Sequence, residues 1–207
     1  MPLIRRDSTK AAAPSFDASK LATALSDGST DERWAAARSA AELPDGLSLL
    51  TNALSCEADP RVREAIFTSM SRIRTPASAA AVLPYLRSDD ASLRAGALDA
   101  LRAMPDATVS HIPDLLTDDD ADVRLLACEL VRTRPAVEAS RLLRPILATE
   151  QQANVCGAAV DVLAEAGGPE LLPVLAGCAA RFPDDPFLRF AIQVAKERIG
   201  SQASNRG

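Results

Sequence analysis

A motif that returns about every 30 residues constrains this 207-residue chain more than any other feature. The octet DPRVREAI around Arg63 recurs as DASLRAGA around Arg94, DADVRLLA around Arg124, QANVCGAA around Cys156 and DPFLRFAI around Arg189, with a weaker copy, TDERWAAA, around Arg33. Successive landmarks stand 30, 31, 30, 32 and 33 residues apart. That is the length of one helix–turn–helix unit. A unit so small cannot bury its apolar side alone, so a period of this kind is met by stacking neighbours into a continuous core.

Three offsets from the landmark are apolar. The preceding residue is Val62, Leu93, Val123, Val155 or Leu188, with Glu32 the exception; the third after it is Ala36, Ile66, Ala97, Ala127, Ala159 or Ile192. Seven residues after it come Met70, Leu101, Val131 and Leu163 in the middle copies. Offsets of −1, +3 and +7 draw one stripe along a helix. Four residues before the landmark, Asp59, Asp90, Asp120 and Asp185 stand where an N-cap carboxylate accepts the first free backbone N–H groups. Pro60 and Pro186 follow, at a first helical position where the missing N–H costs nothing.

Upstream of each cap lies a second apolar segment, at 21–25, 47–54, 80–86, 111–116, 141–147 and 171–179. Pro84, Pro113, Pro145 and Pro173 within or near these segments are expected to bend or shorten the first helix of each pair. Helix stops fall at 43–46, 74–76, 104–106, 134–135 and 166–170, the last a Gly-Gly terminator. Composition agrees with helices: aromatics are 3% of the chain, and its apolar content is mostly Ala, Leu and Val.

The DxxVRxxA frame on paired helices resembles HEAT repeats, specifically the short HEAT-like type first associated with phycobilisome lyases, over roughly residues 16–200. The resemblance implies an all-α fold, an α-solenoid with about six HEAT-like helix pairs in a right-handed superhelix. A flexible N-terminal arm is expected over 1–15, the repeat solenoid over 16–200 and a flexible tail over 201–207. In function, the resemblance spans lyase subunits, scaffolds, adaptors and regulators. The expected role is a non-catalytic protein-binding scaffold; the alternative it implies is a bilin lyase-like subunit acting on a tetrapyrrole-carrying protein. A HEAT-like DNA glycosylase fits poorly, because a net charge of −5 opposes phosphate binding.

Catalytic chemistry is not legible. His111 is the one histidine, at the start of a predicted helix, and a surface or capping role is expected for it. Phosphate-loop, dinucleotide and HExxH motifs are absent. Cys56, Cys128, Cys156 and Cys178 form no CxxC pair and read as free, mostly buried thiols. The Asp…Arg pairs at i, i+4 read as capping and inter-repeat contacts. The acidic run Asp118, Asp119, Asp120 and Asp122 reads as a solvated turn, since it lacks the glycine and distal glutamate of a calcium loop. No cofactor and no metal are expected. Neither a signal-peptide core nor an apolar run of about 18 residues is present, so a cytoplasmic setting without membrane attachment is expected. Arginine's excess over Lys10, Lys20 and Lys196 hints at a bacterial source.

In stacks of this kind the second helices line the concave side, where offsets +1 and +5 project. These are Trp34, Glu64, Ala95, Leu125, Gly157 and Phe190, then Arg38, Thr68, Asp99, Glu129, Asp161 and Val194. The expected partner-binding set is Trp34, Arg38, Glu64, Thr68, Asp99, Leu125, Glu129, Asp161 and Phe190. Its acidic middle and aromatic ends suit a basic or amphipathic protein segment, not nucleic acid. The basic stretch Pro2-Leu3-Ile4-Arg5-Arg6 in the arm is a further candidate contact.

Overall fold

A computed structural model describes residues 18–204, so the expected arm lies outside the described residues. Every regular element in that span is helical. The described residues divide into two compact units, one ending at Ser69 and the other beginning at Met70.

In the first unit, α1 (Ala18–Asp27) packs on α2 (Thr30–Ala40) and on α3 (Gly46–Cys56). Most of α4 (Pro60–Ile73) belongs to this unit as well. Leu21, Leu25, Ala36, Ala40, Leu50, Leu54 and Ile66 are buried. The turn between α2 and α3 is so tight that a Cβ at Gly46 would stand 1.8 Å from the carbonyl oxygen of Ala40. Only glycine fits there.

In the second unit, first helices are broken near Pro84, Pro113 and Pro173 but not at Pro145, and second helices are continuous. α5 (Pro76–Val82) gives way to a 3-10 turn, Leu83–Arg87, that contains Pro84; α6 (Ala91–Arg102) packs on both. α7 (Pro105–Thr108), a 3-10 turn at Val109–His111 and α8 (Ile112–Leu116) form the next broken first helix, and α8 packs on α9 (Ala121–Val131). α10 (Ala136–Thr149) stays helical through Pro145 and packs on α11 (Ala153–Ala166). A 3-10 turn at Pro169–Leu171 leads into α12 (Leu172–Arg181), which packs on α13 (Pro186–Ser204). The final helix passes the expected end of the repeats at residue 200 by four residues.

The second helices α6, α9, α11 and α13 form a row, each touching the next, while the first helices α10 and α12 touch behind it. The apolar stripe is the reason. All six residues at offset +3 and all four at +7 are buried; at offset −1 Glu32 is exposed, Leu93 is half-exposed and the other four are buried. Small alanines at +3 let neighbouring backbones approach. Asp90 accepts from the backbone N–H groups of Ser92 and Leu93, Asp120 from Asp122, Asp59 from Arg61 and Val62, and Asp185 from Leu188, so all four predicted N-caps form. Ser29 and Thr75 add capping boxes, with Glu32 and Ser78.

Candidate partner-binding face

The face is positioned by the joints between repeats, and each joint centres on the landmark. In every copy from the second to the sixth, the landmark side chain donates to the carbonyl oxygen six residues before it. Arg63 reaches Glu57 at 2.7 Å, Arg94 Ser88 at 2.6 Å, Arg124 Asp118 at 2.8 Å and Arg189 Pro183 at 3.3 Å. Even Cys156 lies 3.8 Å from the Glu150 oxygen. Arg33 reaches Gly28, five residues back, at 2.8 Å. These carbonyls sit at or just past the C-terminal end of the first helix, where backbone acceptors lack partners and the dipole favours a cation.

Two landmarks extend across to the next repeat. Arg33 forks onto Glu57 at 2.8 and 3.2 Å, and Arg124 forks onto Glu150 at 2.8 and 3.0 Å. Both glutamates are buried, and each turns Oε1 to the backbone N–H groups of the next two residues. Burial alone would raise these carboxyls; the arginine fork and the two N–H donors outweigh it and hold both below the usual glutamate value. Asp118 fills the same slot in the fourth copy, gripped by both terminal nitrogens of Arg87 and bonded to the Asp120 N–H. The Arg87 hydrogen bond, opposed by burial, keeps its carboxyl low. The expectation of a solvated acidic turn therefore holds for the exposed Asp119 and Asp122, and fails for Asp118. Its oxygens are needed as the acceptor for the neighbouring repeat.

Where the fifth landmark is Cys156, another guanidinium serves the helix end. Arg181 of α12 donates to the carbonyl oxygens of Leu147 at 2.6 Å and Glu150 at 3.5 Å. Cys128, Cys156 and Cys178 are free and buried, and Cys56 is free and exposed. Burial pushes the Cys128 thiol up to about 12. His111 is half-buried at the N-cap position of α8, and its side chain makes no capping bond. Among the described residues no group of three or more His, Cys, Asp or Glu side chains is arranged to hold a metal ion. None of the described helices is long and apolar enough to cross a membrane.

The expected partner-binding residues fall in different environments. In the first unit Trp34 is half-buried, with the guanidiniums of Arg38 and Arg61 over its ring at 4.7 and 5.0 Å. Arg61 is itself paired with Asp31 at 2.6 Å. The indole is thus already occupied by the chain's own cations. Glu64 and Thr68 are exposed on α4. In the second unit Asp99 is exposed and 3.5 Å from Arg102, and Leu125 is half-buried. Glu129 is held from two sides, by Arg102 at 2.6 Å and Arg132 at 3.2 Å, and Arg132 continues to Glu165 at 3.0 Å. Asp99, Arg102, Glu129, Arg132 and Glu165 make a ladder of alternating charge over α6, α9 and α11, so the middle of the row is compensated rather than uniformly acidic.

Asp161 is exposed and shares a depression with Gly157, but the aromatic that joins them is Phe187, not Phe190. Phe190 lines a separate hollow with Ala179, Gln193 and Lys196. Phe187 and Phe190 are 86% and 71% exposed. Offset −2 on the last helix, which places Phe187 beside α11, carried no signal in the repeat frame because the other copies have polar or small residues there.

Comparison with known proteins places these features. Residues 18–102 match the family model for HEAT repeats. An engineered protein of known structure covers 90% of this chain and 97% of its own at 20% identity, with a TM-score of 0.43. A designed armadillo repeat protein covers 87% and 98% at 16% identity, with a TM-score of 0.43. A homology model of the full-length AP-3 complex covers 86% of this chain and 40% of that one at 18% identity, with a TM-score of 0.43. No curated protein matches the chain. The landmark frame and helix pairing found within the matched residues 18–102 run on through the later copies to α13.

Proposed function

We propose that the chain is a non-catalytic scaffold or adaptor that binds another protein on the face of its second helices. The observation that carries this reading is the exposed apolar and acidic surface at the end of the second-unit row. Phe187 stands mostly in solvent there beside a carboxylate, Asp161, that forms no hydrogen bond or ion pair with the described residues, and Phe190, also mostly in solvent, lines a separate hollow on the same helix. Contiguous exposed apolar surface rimmed by polar groups is a mark of interaction sites. The favoured partner is a basic or amphipathic protein segment in the cytoplasm, steered by Asp161 and anchored on the exposed aromatic rings of the second unit.

Affinity capture of the tagged chain from its native lysate, beside an Asp161→Lys variant, tests the proposal. The position is exposed, so helicity is expected to be unchanged. A protein partner retained by the native chain and lost by the variant is the expected result. A coloured tetrapyrrole recovered in place of a protein would overturn it.

A further inference from the structure

We infer that the depression between α11 and α13 receives an arginine side chain flanked by apolar residues on the partner protein, an inference that rests on the scaffold reading. The hollow has a volume of about 310 Å³ and is lined by Asn154, Gly157, Asp161, Asp185, Phe187 and Ala191, among others. Its parts come from α11, from α13 and from Asp185 just before α13, and the two helices touch.

Gly157 forms the open side. A Cβ built there meets nothing within 4 Å, so packing does not require the glycine. In mid-helix, glycine is a poor choice on propensity. What its missing side chain provides is room between Asp161, one turn further along α11, and Phe187 on the facing helix. Asp161 is unpaired among the described residues, and Asp185 spends Oδ1 on the Leu188 N–H while lining the same hollow. Two carboxylates and an exposed ring facing one space suit a planar cation. A guanidinium can fork onto a carboxylate and lie on an aromatic face at once, which an ammonium cannot. Phe187, Ala191 and the half-buried Val194 then offer an apolar wall to the neighbouring side chains of the segment. The acidic lining disfavours a nucleic acid. An uncharged apolar segment would leave Asp161 with no partner.

Fluorescence anisotropy of the full chain with two labelled peptides decides the matter. One is acetyl-Leu-Ile-Arg-Arg-Leu-amide; the other carries citrulline, the uncharged isostere, at both arginine positions. The arginine peptide is expected to bind at least tenfold more tightly. Asp161→Asn, Phe187→Ala and Gly157→Leu, which fills the hollow without a backbone clash, are each expected to weaken it at least fivefold with unchanged circular dichroism. Equal binding of the two peptides, no binding of either, or arginine binding that ignores Gly157→Leu would overturn the pocket. Lysate capture with Gly157→Leu separates the two readings: a partner held equally by native and variant chains leaves the scaffold standing without this pocket, whereas no protein partner on either removes the scaffold itself.

Discussion

The guanidinium of Arg124 joins two places at once: Nη1 donates to the carbonyl oxygen of Asp118 at 2.8 Å, and Nε and Nη2 fork onto the carboxylate of Glu150, 26 residues on. It closes the end of its own repeat's first helix and holds the turn of the next repeat. Arg33 and Glu57 repeat the arrangement in the first unit. Each pair is mostly buried.

Breaking a buried pair from one side leaves the other charge without its partner, which costs about 3 kcal/mol. Arg124→Met and Glu150→Gln are each expected to lower stability by roughly 2–4 kcal/mol, and the double variant by clearly less than the sum. Urea denaturation followed by circular dichroism measures this cycle. Strict additivity would show that the two side chains stabilise the fold independently.

Acid should attack these joints first. The folded carboxyls of Glu57, Glu150 and Asp118 lie below their unfolded values, so their contribution is complete above the unfolded glutamate value of 4.5 and is lost as pH falls through it toward the lower folded values. Stability should therefore decline steeply below about pH 4.5, and Glu57→Gln with Glu150→Gln should flatten that decline while lowering stability at neutral pH. Melting temperatures from pH 7 to pH 3 report it. A variant whose slope matches the native one would contradict the assignment.

Arg181 stands in for the arginine missing at position 156. Arg181→Leu exposes the C-terminal carbonyls of α10 and is expected to cost about 1–3 kcal/mol, whereas Cys156→Ala, which removes only a weak contact, is expected to cost less than Arg181→Leu. Hydrogen exchange at the end of α10 would localise the effect. Faster exchange in Cys156→Ala than in Arg181→Leu would reverse the roles.

Much of this was written in the repeat. The stripe at −1, +3 and +7 and the Asp caps are local, periodic signals, and the structure buries or bonds nearly all of them. The broken first helices follow from Pro84, Pro113 and Pro173, although Pro145 leaves α10 continuous. The inter-repeat forks were not legible, because they join a landmark to a residue some 25 positions later whose identity alternates: Glu57 and Glu150 take the landmark arginine, while Asp118 takes Arg87. The face was harder still. Offsets +1 and +5 put Asp161 on an exposed side of α11, yet Glu129 is neutralised by Arg102 and Arg132, and Phe187 enters from an offset at which the other copies have nothing comparable. Pairing of charges between helices is a property of packing, and no single copy of the frame contains it.

Because Arg124 belongs chemically to two repeats, the 30-residue period is not the module in which this protein would be shortened or lengthened. A copy excised at its loops would carry one half of a fork away from the other. A seam in the turn before a second helix, between an acceptor and the landmark that follows it, would instead keep Arg124 and Glu150 in one piece while giving up the Asp118 carbonyl; the seam for engineering lies inside a helix pair rather than between pairs.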